Sequence, residues 1–201
     1  MNSVCPTIFE RSEIKLGLLL SLIGGVSQQM GDEKGHANVK IRGQIHMLMV
    51  GEPGTGKSQI LRAATQMCTR SVMTTGIGST SAGLTVAAFK DGNEFILEAG
   101  ALVLADCGVC TIDEFSIIKT EDKNSIHEAM EQQTISVAKA NIVCKVNTRT
   151  TIIAATNPVL RGQKWDPQFD TQTNTGIMSS LLSRFDLIFI LVDSKDSEED
   201  R

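Results

Sequence analysis

The sequence predicts an α/β fold: a single domain with a five-stranded parallel sheet flanked by helices, plus two inserted β-hairpins. Five short apolar runs predict the strands, at residues 46–50, 71–75, 109–113, 150–156 and 187–192. Segments of helical or loop composition separate these runs, which favours parallel pairing with helices over both faces. The composition agrees with that layout. The chain has 201 residues, 41% of them hydrophobic, which is enough for one buried core. With no Tyr, one Trp and seven Phe, that core must be mainly aliphatic.

Taken in order, residues 8–26 are expected to form an amphipathic helix, because Ile14, Leu18, Leu19 and Leu22 recur at helical spacing. Gly24-Gly25 ends it. Its apolar stretch is interrupted by Lys15 and Gly17 and is too short to cross a bilayer, so a soluble protein is expected. Residues 31–40 are polar and read as an exposed loop. The run 46–50 leads through a glycine-rich turn into residues 58–68, which have helical composition. Residues 84–89 and 95–97 flank the turn-forming cluster Lys90-Asp91-Gly92-Asn93 and read as the first hairpin. Residues 134–146 alternate in places and turn near Lys139-Ala140-Asn141, giving the second. Residues 193–201 form an acidic tail.

The formal net charge is -4, so no global basic surface advertises nucleic-acid binding, and any such contact must be local. Five cysteines, an odd number scattered through apolar stretches, fit reduced thiols of an intracellular protein. Cys107 and Cys110 have CxxC spacing but lack a second Cys/His pair with ligand spacing. They are expected to be buried structural thiols.

Gly51-Glu52-Pro53-Gly54-Thr55-Gly56-Lys57-Ser58 matches the phosphate-binding P-loop, placed between a strand and a helix as its mechanism requires. Its glycines let backbone N–H groups converge on phosphate oxygens at a helix N-terminus. Lys57 then brings positive charge to the β- and γ-phosphates, and Ser58 can ligate Mg²⁺. The strand 109–113 ends in Asp113-Glu114, where Asp113 is expected to hold Mg²⁺ through water and Glu114 to polarise the attacking water. Asn157, at the end of the strand 150–156, can orient that water or simply belong to an Asn-Pro turn. Arg184 stands just before the last strand. It either caps a carboxylate of the same chain or reaches a neighbour's γ-phosphate.

In this order the motifs resemble the AAA+ superfamily, and their wording is similar to the MCM helicases. The matching phrases run from Gly51 to Gln59, over residues 97–106, 112–115, 126–133, 136–140, 154–158 and 181–186, and so span most of residues 41–192. Residues 74–85 resemble the branch of that family associated with recombination repair. The resemblance implies an ATP-driven, Mg²⁺-dependent motor, nuclear, that acts on single-stranded DNA within a hexameric ring of MCM-type subunits, including a related paralogue. It makes Gly51 to Gln59 the nucleotide loop, Asn157 a sensor, Gln132 a further polar sensor, and Arg184 a finger acting on the adjacent subunit. Residues 84–97 become the helix-2 insert, and residues 134–146 the hairpin whose Lys139 faces DNA. Asn141 departs from the family's usual Gly but tolerates a left-handed backbone. The family's zinc and OB-like domain and its helical lid, with a second sensor arginine, have no counterpart in these 201 residues. Two other readings remain: a protein remodeller, which would want an aromatic pore loop where Lys139 stands, and a nucleotide-binding ring subunit or truncated product without turnover.

Overall fold

The computed structural model describes residues 4–30, 39–76, 81–91, 94–139, 142–160 and 164–192. Their elements begin with α1 (Ser12–Ile23), β1 (Gln28–Met30), β2 (Val39–Ile41), β3 (Met47–Gly51), α2 (Lys57–Met67) and β4 (Ser71–Thr75). Next come α3 (Ser81–Leu84), β5 (Val86–Asp91), β6 (Glu94–Ala99), α4 (Ala101–Leu104), β7 (Val109–Asp113) and a 3-10 turn (Phe115–Ile117). The chain continues through α5 (Thr120–Gln132), β8 (Thr134–Lys139), β9 (Ile142–Asn147), β10 (Thr151–Thr156), α6 (Thr171–Thr175), α7 (Ser179–Leu182) and β11 (Leu187–Leu191).

Five strands pair in parallel, as the apolar runs predict, and their order is β11-β3-β10-β7-β4. Continuous apolar strands need cover on both faces, and the two cores supply it. Leu48 and Val50 of β3, Ile152 and Ala154 of β10, and Cys110 and Ile112 of β7 face one core, against Leu102, Ile126, Met130 and Leu181. Met47 and Met49, with Ile153 and Ala155, face the other, against Ile14 and Leu18 of α1 and Ile60, Leu61 and Ala64 of α2. All four apolar residues Met47, Leu48, Met49 and Val50 are 0% exposed. At about 1.5–3 kcal/mol for each large apolar side chain buried, this strand anchors the domain, and it is the strand that ends in the P-loop.

Both predicted hairpins form, as the antiparallel pairs β5-β6 and β8-β9. The second docks its Ile135 and Val137 into the first core. Several boundaries differ from the sequence expectation. The first helix is shorter than 8–26, beginning at Ser12 and stopping at Gly24. Leu84 ends α3 instead of starting a hairpin strand. Val39 and Lys40 lie in β2, which pairs with β1, so part of the expected loop 31–40 is strand and a third two-stranded sheet is present. Each of these strands is only three residues long, too short for a period to show, which is why periodicity missed the pairing. Residues 31–38, the turn residues Gly92 and Asn93, residue Asn141 and the tail 193–201 lie outside the described residues.

Cys110 is fully buried in β7, and burial pushes its thiol up to about 12. Cys107 departs from expectation, being exposed in a turn at φ 59° just before that strand. Among the described residues no helix is long and apolar enough to cross a membrane.

Candidate functional site

Strand register brings the motifs to one edge of the sheet. Val50 pairs with Thr156, and Ala154 with Ile112, so β3, β10 and β7 end nearly flush. The residues that follow, the loop after Gly51, Asn157 and the Asp113-Glu114 pair, therefore emerge side by side at the carboxyl ends. Ligands bind open α/β sheets at that edge. β10 lies between the strands that carry the P-loop and the carboxylates, which sets Asn157 between them.

The loop reaches α2 through Gly54 and Gly56, at φ 87° and 82°, a left-handed backbone that a Cβ would strain. Its turn leaves the N-terminus of the 11-residue helix α2 facing the cleft, with the positive end of the helix dipole. Lys57 is only 7% exposed. Its Nζ donates to the Gly51 carbonyl at 2.8 Å, the Glu52 carbonyl at 2.6 Å and Thr55 Oγ1 at 3.1 Å. Burial pushes this ammonium below the usual lysine range, while the charges of Asp113 and Glu52 oppose that shift.

Ser58 Oγ donates to Asp113 Oδ2 at 2.5 Å, and Asp113 Oδ1 accepts from the Glu114 N–H at 2.9 Å. A hydroxyl and a carboxylate in direct contact form a hard-oxygen pair that suits Mg²⁺ better than a softer metal. Glu114 sits at φ 54°, uncommon for a side-chain-bearing residue, and the turn swings the chain from the strand into the 3-10 segment.

One cleft of about 410 Å³ is lined by Pro53 to Gln59 together with Asp113, Glu114 and Asn157. Its volume is in the range of small-molecule sites. A larger cleft of about 500 Å³ opens at the opposite strand ends, beside Arg70, Cys107 and Arg149. It gathers none of the motif residues.

Gly51 and Glu52 fall outside the lining of the smaller cleft, their carbonyls accepting from Lys57, and three more sequence-predicted residues lie outside it. Gln132 is exposed at the end of α5. Arg184 lies outside the lining of the cleft, and its Nη2 donates to Glu131 Oε1 at 2.8 Å, so within one chain it caps a carboxylate. Lys139 is the last residue of β8, paired in register with Ile142, and its side chain lies outside the described residues. A residue that the sequence reading did not single out is Gly76. A Cβ there would meet the Glu114 carbonyl oxygen at 2.3 Å, and the Gly76 N–H donates to the Asp113 carbonyl at 2.8 Å. Its traces in the sequence are a glycine directly after the strand 71–75 and a place within the stretch 74–85.

A phosphate-binding loop on a buried parallel strand, with an Asp-Glu pair two strands away and Asn157 between, defines a P-loop domain. The chain belongs to the MCM family, whose P-loop domain matches residues 1–201. It is 54% identical over 201 residues to "Probable DNA helicase MCM9" of Oryza sativa subsp. indica, covering 100% of this chain and 29% of that protein. It is 52% identical over 200 residues to "Probable DNA helicase MCM9" of Arabidopsis thaliana, covering 100% of this chain and 30% of the relative. To "DNA helicase MCM8" of Rattus norvegicus it is 48% identical over 202 residues, covering 100% of this chain and 24% of the relative. The chain thus spans less than a third of the length of these relatives.

Proposed function

We propose that this chain is the ATP-hydrolysing core of an MCM-type DNA helicase subunit. It works in a hexameric ring of related subunits and couples hydrolysis to movement along single-stranded DNA in the nucleus, during replication or recombination repair. The observation that supports this reading best is the convergence of Lys57, Ser58, Asp113, Glu114 and Asn157 on one cleft, next to the N-terminus of α2.

Each residue has a role that its position allows. Lys57 exchanges its loop carbonyl partners for the β- and γ-phosphate oxygens of ATP, which are stronger, charged acceptors. Ser58 and Asp113 would hold Mg²⁺, which when bound neutralises phosphate charge. Glu114 polarises the attacking water and Asn157 orients it. Arg184 stabilises charge at the nucleotide of the adjacent subunit. Its pairing with Glu131 does not oppose that role. Both side chains are partly exposed, at 36% and 43%, and such pairs are worth about 0–1 kcal/mol, so a phosphate can displace the carboxylate. Gln132, exposed at the end of α5, is a further polar sensor.

The placement of Glu114 rests on the absence of a side chain at Gly76. Gly76→Ala is expected to displace the Glu114 peptide, since the nearest atom is backbone and cannot rotate away. Misplacing a reacting group by about 1 Å costs on the order of a hundredfold in rate. Hydrolysis should fall far more than nucleotide affinity, measured as steady-state ATPase beside a nucleotide titration. Equal losses in both would put Gly76 in the binding loop's support instead.

DNA coupling rests on the β8-β9 hairpin, whose strand β8 ends at Lys139. If Lys139 contacts a phosphate in the ring channel, Lys139→Ala weakens single-stranded DNA binding for all sequences. The slope of log affinity against log salt becomes shallower by about one unit. Fluorescence titrations over a salt series in the full-length, assembled protein measure it. Unchanged affinity and slope, together with an ATPase rate indifferent to single-stranded DNA, would favour a protein remodeller; absence of turnover would favour a non-hydrolysing ring subunit.

A further inference from the structure

An arginine that acts on a neighbouring subunit needs a fixed backbone and a side chain free to reach outward. The turn that carries Arg184 is held from two sides. Inside, Phe185 is 6% exposed and meets Phe115, the residue after Glu114, edge to face at a ring-centroid distance of 5.6 Å. Outside, Arg42 holds it. Arg42 Nη2 donates to the Arg184 carbonyl at 2.9 Å and to Asp186 Oδ1 at 3.1 Å, and Nη1 donates to the Gln44 carbonyl at 3.1 Å. The other Asp186 oxygen accepts from the His46 N–H at 2.8 Å, and the Asp186 N–H donates to the His46 carbonyl at 2.9 Å.

The loop that carries Arg42 is itself anchored. The buried ring of His46 accepts the Ile152 N–H of β10 through Nδ1 at 3.0 Å, which ties the loop to the strand before Asn157. Gln44 accepts from the side chain of Gln133, the residue before β8. Arg42 therefore projects from a bracket fixed to the central sheet and to the base of the hairpin.

We propose that Arg42 is a positioning residue for Arg184, its guanidinium fork setting the turn from which Arg184 reaches the neighbouring nucleotide. The proposal rests on the reading of Arg184 as a finger in trans. As a stabiliser alone, a partly exposed pair such as Arg42 and Asp186 contributes little. Its geometric effect is larger, because a planar fork can hold the Arg184 carbonyl and the Asp186 carboxylate at the same time, which a point charge does poorly. The network also explains how Arg184 can give up Glu131 without losing its place: its backbone is fixed independently of its side-chain partner.

The test uses subunit mixing in rings of the full-length protein. Arg42→Ala and Arg184→Ala are each assembled alone and together with Lys57→Ala, which lacks the phosphate lysine but retains a normal finger. Arg42→Ala alone is expected to lose roughly tenfold to a hundredfold in hydrolysis, the size of effect that a misplaced group produces. Mixing with Lys57→Ala should restore activity, because the intact P-loop of one subunit then meets the correctly held finger of the other. A merely structural Arg42 would damage its own subunit, and mixing would restore nothing. That outcome overturns the proposal, as does wild-type hydrolysis by Arg42→Ala alone. Should Arg42→Ala fail to fold, Arg42→Lys, which retains a charge for Asp186 and loses the fork, decides: the same rescuable defect supports the proposal and normal hydrolysis overturns it. Arg184→Ala distinguishes the two levels. If mixing rescues Arg184→Ala but not Arg42→Ala, only the positioning role is wrong; if it rescues neither, the trans reading falls and the positioning role with it.

Discussion

Lys57→Ala is expected to abolish detectable ATP binding while leaving the fold nearly intact. The ammonium that Gly51, Glu52 and Thr55 gather is the one cation lining the cleft, as far as the described residues go. Hydrogen bonds to charged groups contribute about 1.5–3 kcal/mol each, so losing two to phosphate oxygens lowers affinity on the order of a hundredfold or more. The cost to the fold is expected to be small by comparison, because Lys57 itself lines the cleft and water from it can take the place of the ammonium. A nucleotide titration and a thermal melt of the same variant measure both quantities. Unchanged affinity would sink the P-loop assignment, and a collapsed melting transition would mean that Lys57 acts chiefly as a staple of its own loop.

Arg184→Ala is expected to leave nucleotide affinity at its own P-loop close to normal and to cut hydrolysis at the adjacent subunit by on the order of a thousandfold. That magnitude is what an arginine supplied to developing phosphate charge contributes. The geometry within one chain fits this division. Arg184 does not line the cleft of its own subunit, and it pairs there with Glu131 and, at 3.5 Å, with His127 Nε2. Two inactive variants, Arg184→Ala and Lys57→Ala, should therefore recover hydrolysis when assembled together. Failure to recover would return Arg184 to the other role its sequence position allowed, a carboxylate cap.

The two predictions differ in how much of their basis is visible in one dimension. Lys57 is legible because strand, glycine turn, Lys-Ser and helix are contiguous, so the local chain builds the site by itself. Asp113-Glu114 and Asn157 are legible as polar residues closing apolar strands, a pattern that needs only the period and the strand end. Arg184 is legible as a residue type before a strand, but its partner is not: Glu131 is 53 residues away. The small third sheet and the exposure of Cys107 escaped for a related reason, since three-residue strands and single turn residues carry no periodic signal.

By itself the sequence determined the fold class, the five core strands, both hairpins and the residues of the phosphate loop, because those follow from local chemistry: apolar runs must be buried and glycines allow the turn. Only the tertiary structure decided the strand order β11-β3-β10-β7-β4, and with it the placing of Asn157 between the P-loop and the carboxylates. It alone decided that Gly76 lies against the Glu114 carbonyl and that Arg42 reaches the Arg184 carbonyl, 142 residues along the chain. These contacts join segments that are far apart in sequence, and the physical reason they form is the burial of two apolar faces, a non-directional force that specifies which residues go inside but leaves their partners to the packing of the whole chain.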